Sequence, residues 1–124
     1  MDLSENRTNH PNLIVAADAG SCTIGQVIHR QSIIIPSHNP VTQATVHTVS
    51  ELQHDTFLNL CDHDPELIIL ATGESIVFPE PDILEPLVKN HIGLEVLDNQ
   101  AAARTFNVIL AESRRVVCLM LIEP

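Results

Sequence analysis

Two runs that are apolar at both alternating positions constrain this chain more than anything else in it. They are "LIILA" at 67–71 and "RVVCLMLI" at 115–122. A strand with one covered face alternates apolar and polar residues, whereas a strand covered on both faces has no reason to alternate. Both runs are therefore expected to be central strands with material packed above and below. A further strand is expected at "LEVLD" (94–98), and segments of helical period separate the three. The second half of the chain thus reads β-α-β-α-β, and strands joined in this way pack their helices against the sheet.

The helical segments carry start and stop signals. Ser50 and Gln53 have the spacing of a capping box; His54, Phe57, Leu58 and Cys61 then share a face before "DHDP" at 62–65 ends the helix. Asp82 is expected to cap a second helix, with Leu84, Leu87, Val88 and His91 as its apolar stripe and Gly93 as its terminator. Pro86 falls in the first turn, where its missing N–H is tolerated. A third helix covers 99–112, opened by Asp98 or Asn99.

The first half is richer in β signals. "LIVAADAG" (13–20) reads as a strand closing on a turn, and 22–36 as a hairpin that turns at Gly25-Gln26, with 27–35 as its longer arm. "ATVHTV" (44–49) and "SIVF" (75–78) read as shorter β runs. Residues 1–11 have no apolar period and read as a polar tail, leaving one domain over 12–124. The expected architecture is a single three-layer α/β domain with a mixed central β-sheet, its β-rich N-terminal half followed by β-α-β-α-β.

Charge removes several function classes. Sixteen Asp and Glu stand against six Lys and Arg, a net charge of −10, and Arg114-Arg115 is the one adjacent basic pair. Nucleic acid and anionic membranes both require clustered cations, so neither is an expected partner. With three Phe, no Trp and no Tyr, an aromatic base-stacking platform has almost nothing to use. Cys22, Cys61 and Cys118 are widely spaced, which signals neither a zinc knuckle nor a disulfide framework. They read as reduced thiols, and the polar, acidic start of the chain does not read as a signal or transit segment. No apolar run reaches the length of a membrane span, so a cytoplasmic location without membrane insertion is expected.

The chemical candidates begin at "ATGES" (71–75), where an apolar strand breaks at a glycine. A phosphate loop of the Walker type needs a second glycine followed by Lys and Ser or Thr, and a dinucleotide fingerprint needs three spaced glycines. Here Gly73 is alone and Glu74 follows it, so the stretch reads as a turn at a strand end. His54, Cys61 and His63 are near in sequence, but Cys-x-His is not an established tetrahedral spacing, and no metal site is assigned. No nucleophile-elbow pattern occurs, and no catalytic residue is assigned. On the third helix Gln100, Arg104 and Asn107 lie at i, i+4 and i+7, with Glu95 and Asp98 just upstream. Two readings stay open: a solvated polar stripe, or a polar site beside ATGES formed where parallel strands end together. The second makes Thr72, Gly73, Glu95, Asp98, Arg104 and Asn107 the candidate ligand or interaction site.

The pieces "ELIILATGES", "IGLEVLDNQAAARTFNVILAESRRVV" and the closing apolar strand carry a resemblance. The stretch resembles the domain-of-unknown-function family of MTH-type proteins that includes the mitochondrial respiratory complex I assembly factor 3. The family pattern is G-T-G after the strand, then E-x-M-D-T, A-x-R-T-Y-N and E-G-R. Ala71-Thr72-Gly73, Glu95 to Asn99, Ala102 to Asn107 and Glu112 to Arg114 occupy those places. Ala71, Leu97, Asn99, Phe106 and Ser113 depart from the pattern's Gly, Met, Thr, Tyr and Gly. The resemblance implies a three-layer α/β fold and members that are not established enzymes, the mitochondrial one acting with partner proteins. The expectation is therefore a non-catalytic interaction, assembly or accessory factor with a protein partner and no bound cofactor. The alternative is a small-ligand binder or unrecognised enzyme using the crevice around Thr72, Gly73 and Arg104.

Overall fold

Strands that are apolar on both faces belong between two layers, and the fold places them there. The computed structural model describes residues 10–124; the tail expected over 1–11 lies outside that range except for its last two residues. In chain order the elements are β1 (Ile14–Ala17), β2 (Cys22–Ile24), β3 (Val27–His29), β4 (Ile33–Pro36) and β5 (Thr42–Gln43). They continue as α1 (His54–Leu60), β6 (Leu67–Ala71), α2 (Glu85–Lys89), β7 (Gly93–Leu97), α3 (Asn99–Ala111) and β8 (Val116–Met120). Five strands form a mixed sheet in the order β5-β4-β8-β6-β7, and β1-β2-β3 form a separate antiparallel sheet. β6 pairs in parallel with both β7 and β8, while β4 is antiparallel to β8.

Alternation along the two central strands divides the core. Ile69, Ala71, Val116, Cys118 and Met120 face α3 and the small sheet; Ile68, Leu70, Val117 and Leu119 face α1 and α2. The buried face of α3 is Asn99, Ala102, Ala103, Phe106, Ile109 and Leu110, the three-and-four spacing of an amphipathic helix. Each fully buried large side chain, such as Phe57 or Phe106, contributes about 1.5–3 kcal/mol relative to exposure. No helix among the described residues is long and apolar enough to cross a membrane.

Local expectations fare unevenly. The hairpin turn holds: Ile24 opposes Val27 and Gly25 takes φ 60°. Its longer arm over 27–35 is instead two strands in two different sheets. The chain leaves β3 at His29 and turns Ser32 wholly inward. Ser32 Oγ accepts from Ile122 N at 2.8 Å, and Ser37 Oγ accepts from Val116 N at 3.0 Å. These two hydroxyls extend the β4–β8 ladder beyond each end of its backbone pairing. The β run expected at 44–49 is absent, because Glu51 Oε1 turns the chain there by accepting from His47 N and Thr48 N, each at 3.1 Å.

Glu51 therefore displaces the expected Ser50–Gln53 box. Gln53 opens α1 instead, its N–H donating to Thr56 Oγ1 at 3.1 Å. With that start Leu60 joins Phe57 in the core, and Leu58 is exposed. The second helical segment opens at Glu80 with Pro81 as its first residue, so Asp82 lies inside a 3₁₀ turn and does not cap. His91, at φ 56°, ends that segment in the left-handed region, and Val88 faces solvent. Gly93 begins β7, where an added Cβ would stand 3.2 Å from Leu67 Cδ1.

Candidate functional site

The end of β6 is held by one asparagine. Thr72 N donates to Leu97 O at 3.0 Å, which prolongs the parallel pairing past the strand. Gly73 then adopts φ 94°, a conformation that a side chain would strain. Its N–H donates to Asn99 Oδ1 at 2.8 Å, and Asn99 N donates back to Gly73 O at 2.9 Å. The Asn99 Nδ2 group donates to Asp18 O and to Leu121 O, both at 3.0 Å. Asn99 is 1% exposed, so these bonds form away from water, where each buried polar group needs a partner. A single amide thus ties together the ends of β6 and β8, the start of α3 and the turn after β1.

That position matters for function. The neighbouring parallel strands β6 and β7 continue into helices on opposite faces of the sheet, α2 on one and α3 on the other. Open α/β sheets accept ligands beyond the strand ends at such a switch point. Here Asn99 and Gly73 occupy it. Asp98 Oδ1 also takes Ala101 N at 2.8 Å, so two of the first three helix donors are already engaged. The carboxylates of Asp18, Glu74 and Asp98 border the remaining space. Gly20 N–H, and after it Ser21 N–H, hold the Asp18 carboxyl below its ordinary range by donating to it. A phosphate would meet spent donors and negative charge, which supports reading ATGES as a turn.

Two open grooves flank the turn and share Ala19, Gly20, Gly73 and Glu74 as a common ridge. One, of about 610 Å³, lies toward Asp98 and Gln100. The other, of about 620 Å³, runs between the 47–50 and 72–77 segments over Leu121. His47 borders this second groove, and its buried Nδ1 has no hydrogen-bond partner among the described residues.

The six candidate residues do not converge as a set. Thr72, Gly73 and Asp98 border the grooves, whereas Glu95, Arg104 and Asn107 do not. Glu95 is exposed on the edge strand β7, and Arg104 is exposed on α3 outside the ion pairs of the described residues. Asn107 is a second backbone staple: its Oδ1 accepts from Ile14 N at 2.9 Å and its Nδ2 donates to Ile14 O at 2.8 Å. The supposed polar stripe is therefore two exposed residues and one that docks β1. Among the described residues no group of three or more His, Cys, Asp or Glu is placed to hold a metal ion. His54 bonds to Glu85 at 2.8 Å, and His63 to Asn39 at 3.0 Å.

The next part of the loop carries exposed residues to which no motif pointed. The run 75–78 forms no strand, because Thr72 Oγ1 donates to Ser75 O at 2.6 Å and accepts from Val77 N at 3.1 Å. Pro79 is buried just beyond. Between these anchors Ile76, Val77 and Phe78 are 49%, 46% and 74% exposed. The composition of the run and the prolines that follow it are both compatible with a strand, so no local signal pointed to this loop.

A three-layer α/β domain with a mixed sheet and a switch point closed by its own asparagine is the class these features define. The chain belongs to the family described as "Protein of unknown function (DUF498/DUF598)", whose model matches residues 14–121. It is similar to a Xanthomonas campestris protein solved by NMR, at 35% identity and TM-score 0.81, with 88% of this chain and 83% of that one covered. A Bordetella pertussis protein described as a Mth938-like domain shares the fold, with TM-score 0.79, 24% identity and coverage of 91% and 87%. The "13 kDa major membrane protein" of Francisella tularensis subsp. holarctica (strain LVS) is 28% identical over 58 residues. That match spans about half of each chain, 47% of both.

Proposed function

We propose that this chain is a non-catalytic interaction or accessory factor that holds a partner protein at the sheet end where β6 and β7 stop. The observation that carries this reading is the exposed run Ile76-Val77-Phe78 on a loop pinned at both sides. Adjoining exposed apolar side chains mark interaction surfaces, and a loop already fixed loses little entropy on docking. The resemblance to a family that includes an assembly factor acting with partners supports the same reading. A cytoplasmic location is part of the proposal; the membrane named for the Francisella relative would then be reached through a partner. The test is native purification of the tagged chain beside its Phe78→Ser variant. A protein recovered stoichiometrically with the natural chain and lost with the variant is expected; no specific protein, or equal recovery, overturns the reading.

A second reading, a small-ligand binder, is favoured by the 620 Å³ groove and the unpartnered Nδ1 of His47. A buried polar atom without a partner costs about 1–3 kcal/mol, which a hydrogen-bonding ligand would offset. Native mass spectrometry showing a small molecule that is lost on His47→Phe would transfer the assignment to this reading.

A further inference from the structure

Building on the interaction reading, we infer that the partner segment seated on Phe78 is basic: an apolar anchor flanked by Lys or Arg. The charges around the loop carry the inference. From residue 67 to residue 88 the chain has Glu74, Glu80, Asp82 and Glu85 and no Lys or Arg. Glu74 and Glu80 bracket the apolar run, and both are exposed. Glu85 is engaged with His54, but neither Glu74 nor Glu80 enters an ion pair of the described residues. The adjoining groove adds Glu123 and has no Lys or Arg on its walls. A partner covering Phe78 desolvates this rim, and without opposing charge the carboxylates would be left uncompensated. Lys or Arg flanking the anchor supplies that charge and steers the encounter as well.

The same field disfavours the other occupants. A second copy of this chain docked two-fold through the loop would set the Glu74 and Glu80 rim against its own equivalent, acid against acid. An anionic bilayer repels the rim in the same way. The loop also suits a side-chain anchor, because the Thr72 clamp and buried Pro79 present three adjacent apolar side chains in a fixed order.

The probe is a short amphipathic Lys/Leu peptide with one Trp, compared with the same peptide carrying Glu for Lys. The chain has neither Trp nor Tyr, so the emission reports the peptide. The Lys peptide is expected to bind the natural chain with amide shifts concentrated at 74–80. Phe78→Ser should weaken it by about tenfold or more. The double variant Glu74→Gln, Glu80→Gln should weaken it by about threefold and flatten its salt dependence. The Glu peptide should not bind. Shifts placed elsewhere, an unaffected Phe78→Ser variant, or equal binding of the two peptides overturns the inference. Uptake onto zwitterionic vesicles that needs Phe78 would give the loop to a membrane and overturn it too. If the Lys peptide fails while native purification still recovers a Phe78-dependent protein, only the basic character falls; if both fail, the interaction reading falls with it.

Discussion

Residues 72–74 and 76–78 share one loop and treat solvent in opposite ways. In the first stretch Thr72 N, Gly73 N and Gly73 O all find protein partners, two of them on Asn99. In the second, three adjacent apolar side chains, Ile76, Val77 and Phe78, are exposed and belong to neither core cluster. A loop that satisfies its polar groups and exposes its apolar ones reverses what burial alone would produce. Asn99 thus takes up the backbone groups at the sheet end, between two open grooves, while an apolar surface is presented immediately beside it.

The largest effect is expected where the Asn99 amide is removed. Asn99→Ala leaves Gly73 N, Asp18 O and Leu121 O without their partner at a site 1% exposed. A loss of about 3 kcal/mol is expected, read as a lower urea midpoint at unchanged slope. Asn99→Thr, the residue of the resembled family pattern, should recover about half of it, because a hydroxyl both donates and accepts. A loss below about 1 kcal/mol in the alanine variant would show the closure to be incidental.

Asn107 offers a milder version farther along the same helix. Asn107→Ala removes both bonds to the Ile14 backbone, for an expected loss of about 2 kcal/mol. Its effect should be local: amide exchange should quicken in β1 and β2 more than in β6 and β8. Equal acceleration everywhere would place Asn107 in the global core and remove its contrast with Asn99.

The contrast also explains what was legible in the residues. LIILA and RVVCLMLI could be placed because two-sided burial leaves no alternation to misread, and the helix between β7 and β8 follows from its period. Asn99 and Asn107 could not be placed, because a polar residue on a helix is written alike whether it meets water or a distant backbone. Ser32 hid the break in the hairpin arm for the same reason: its hydroxyl serves Ile122, ninety positions away. SIVF misled in the opposite sense, since its β-branched composition is that of a strand, while the Thr72 hydroxyl bonds to Ser75 and Val77 decide the conformation. The turn at Gly73 and the helix start at Asp98 were legible through local spacing; where Arg104 and Glu95 lie relative to that turn depends on long-range geometry that spacing does not encode.

A smaller effect is expected at the far end of α3. Ser113 stands at φ 59°, the left-handed region, where the resembled pattern has glycine. Its N–H donates to Leu110 O at 3.0 Å, so the conformation is fixed by the way the helix ends. Ser113→Gly relieves the strain but frees the unfolded chain, and a net gain of about 0.5–1 kcal/mol is expected. A loss in thermal or urea unfolding would mean that the Ser113 side chain stabilises the helix end by more than the strain it bears. The variant should leave the Asn99 effect unchanged, because the two sites share no partner.

The smallest expected effect on stability is the most informative one. Phe78 is 74% exposed, so Phe78→Ser removes little buried apolar area and should change unfolding free energy by less than about 0.5 kcal/mol. The Thr72 clamp on Ser75 and Val77 does not involve the Phe78 side chain, so the loop should keep its shape. A urea titration of the variant beside the natural chain decides the matter. A loss above about 1 kcal/mol would show that Phe78 shields the interior, and the second half of the loop would then close the fold as the first half does. Unchanged stability with lost binding would instead separate the residues that hold the sheet end shut from those that present it.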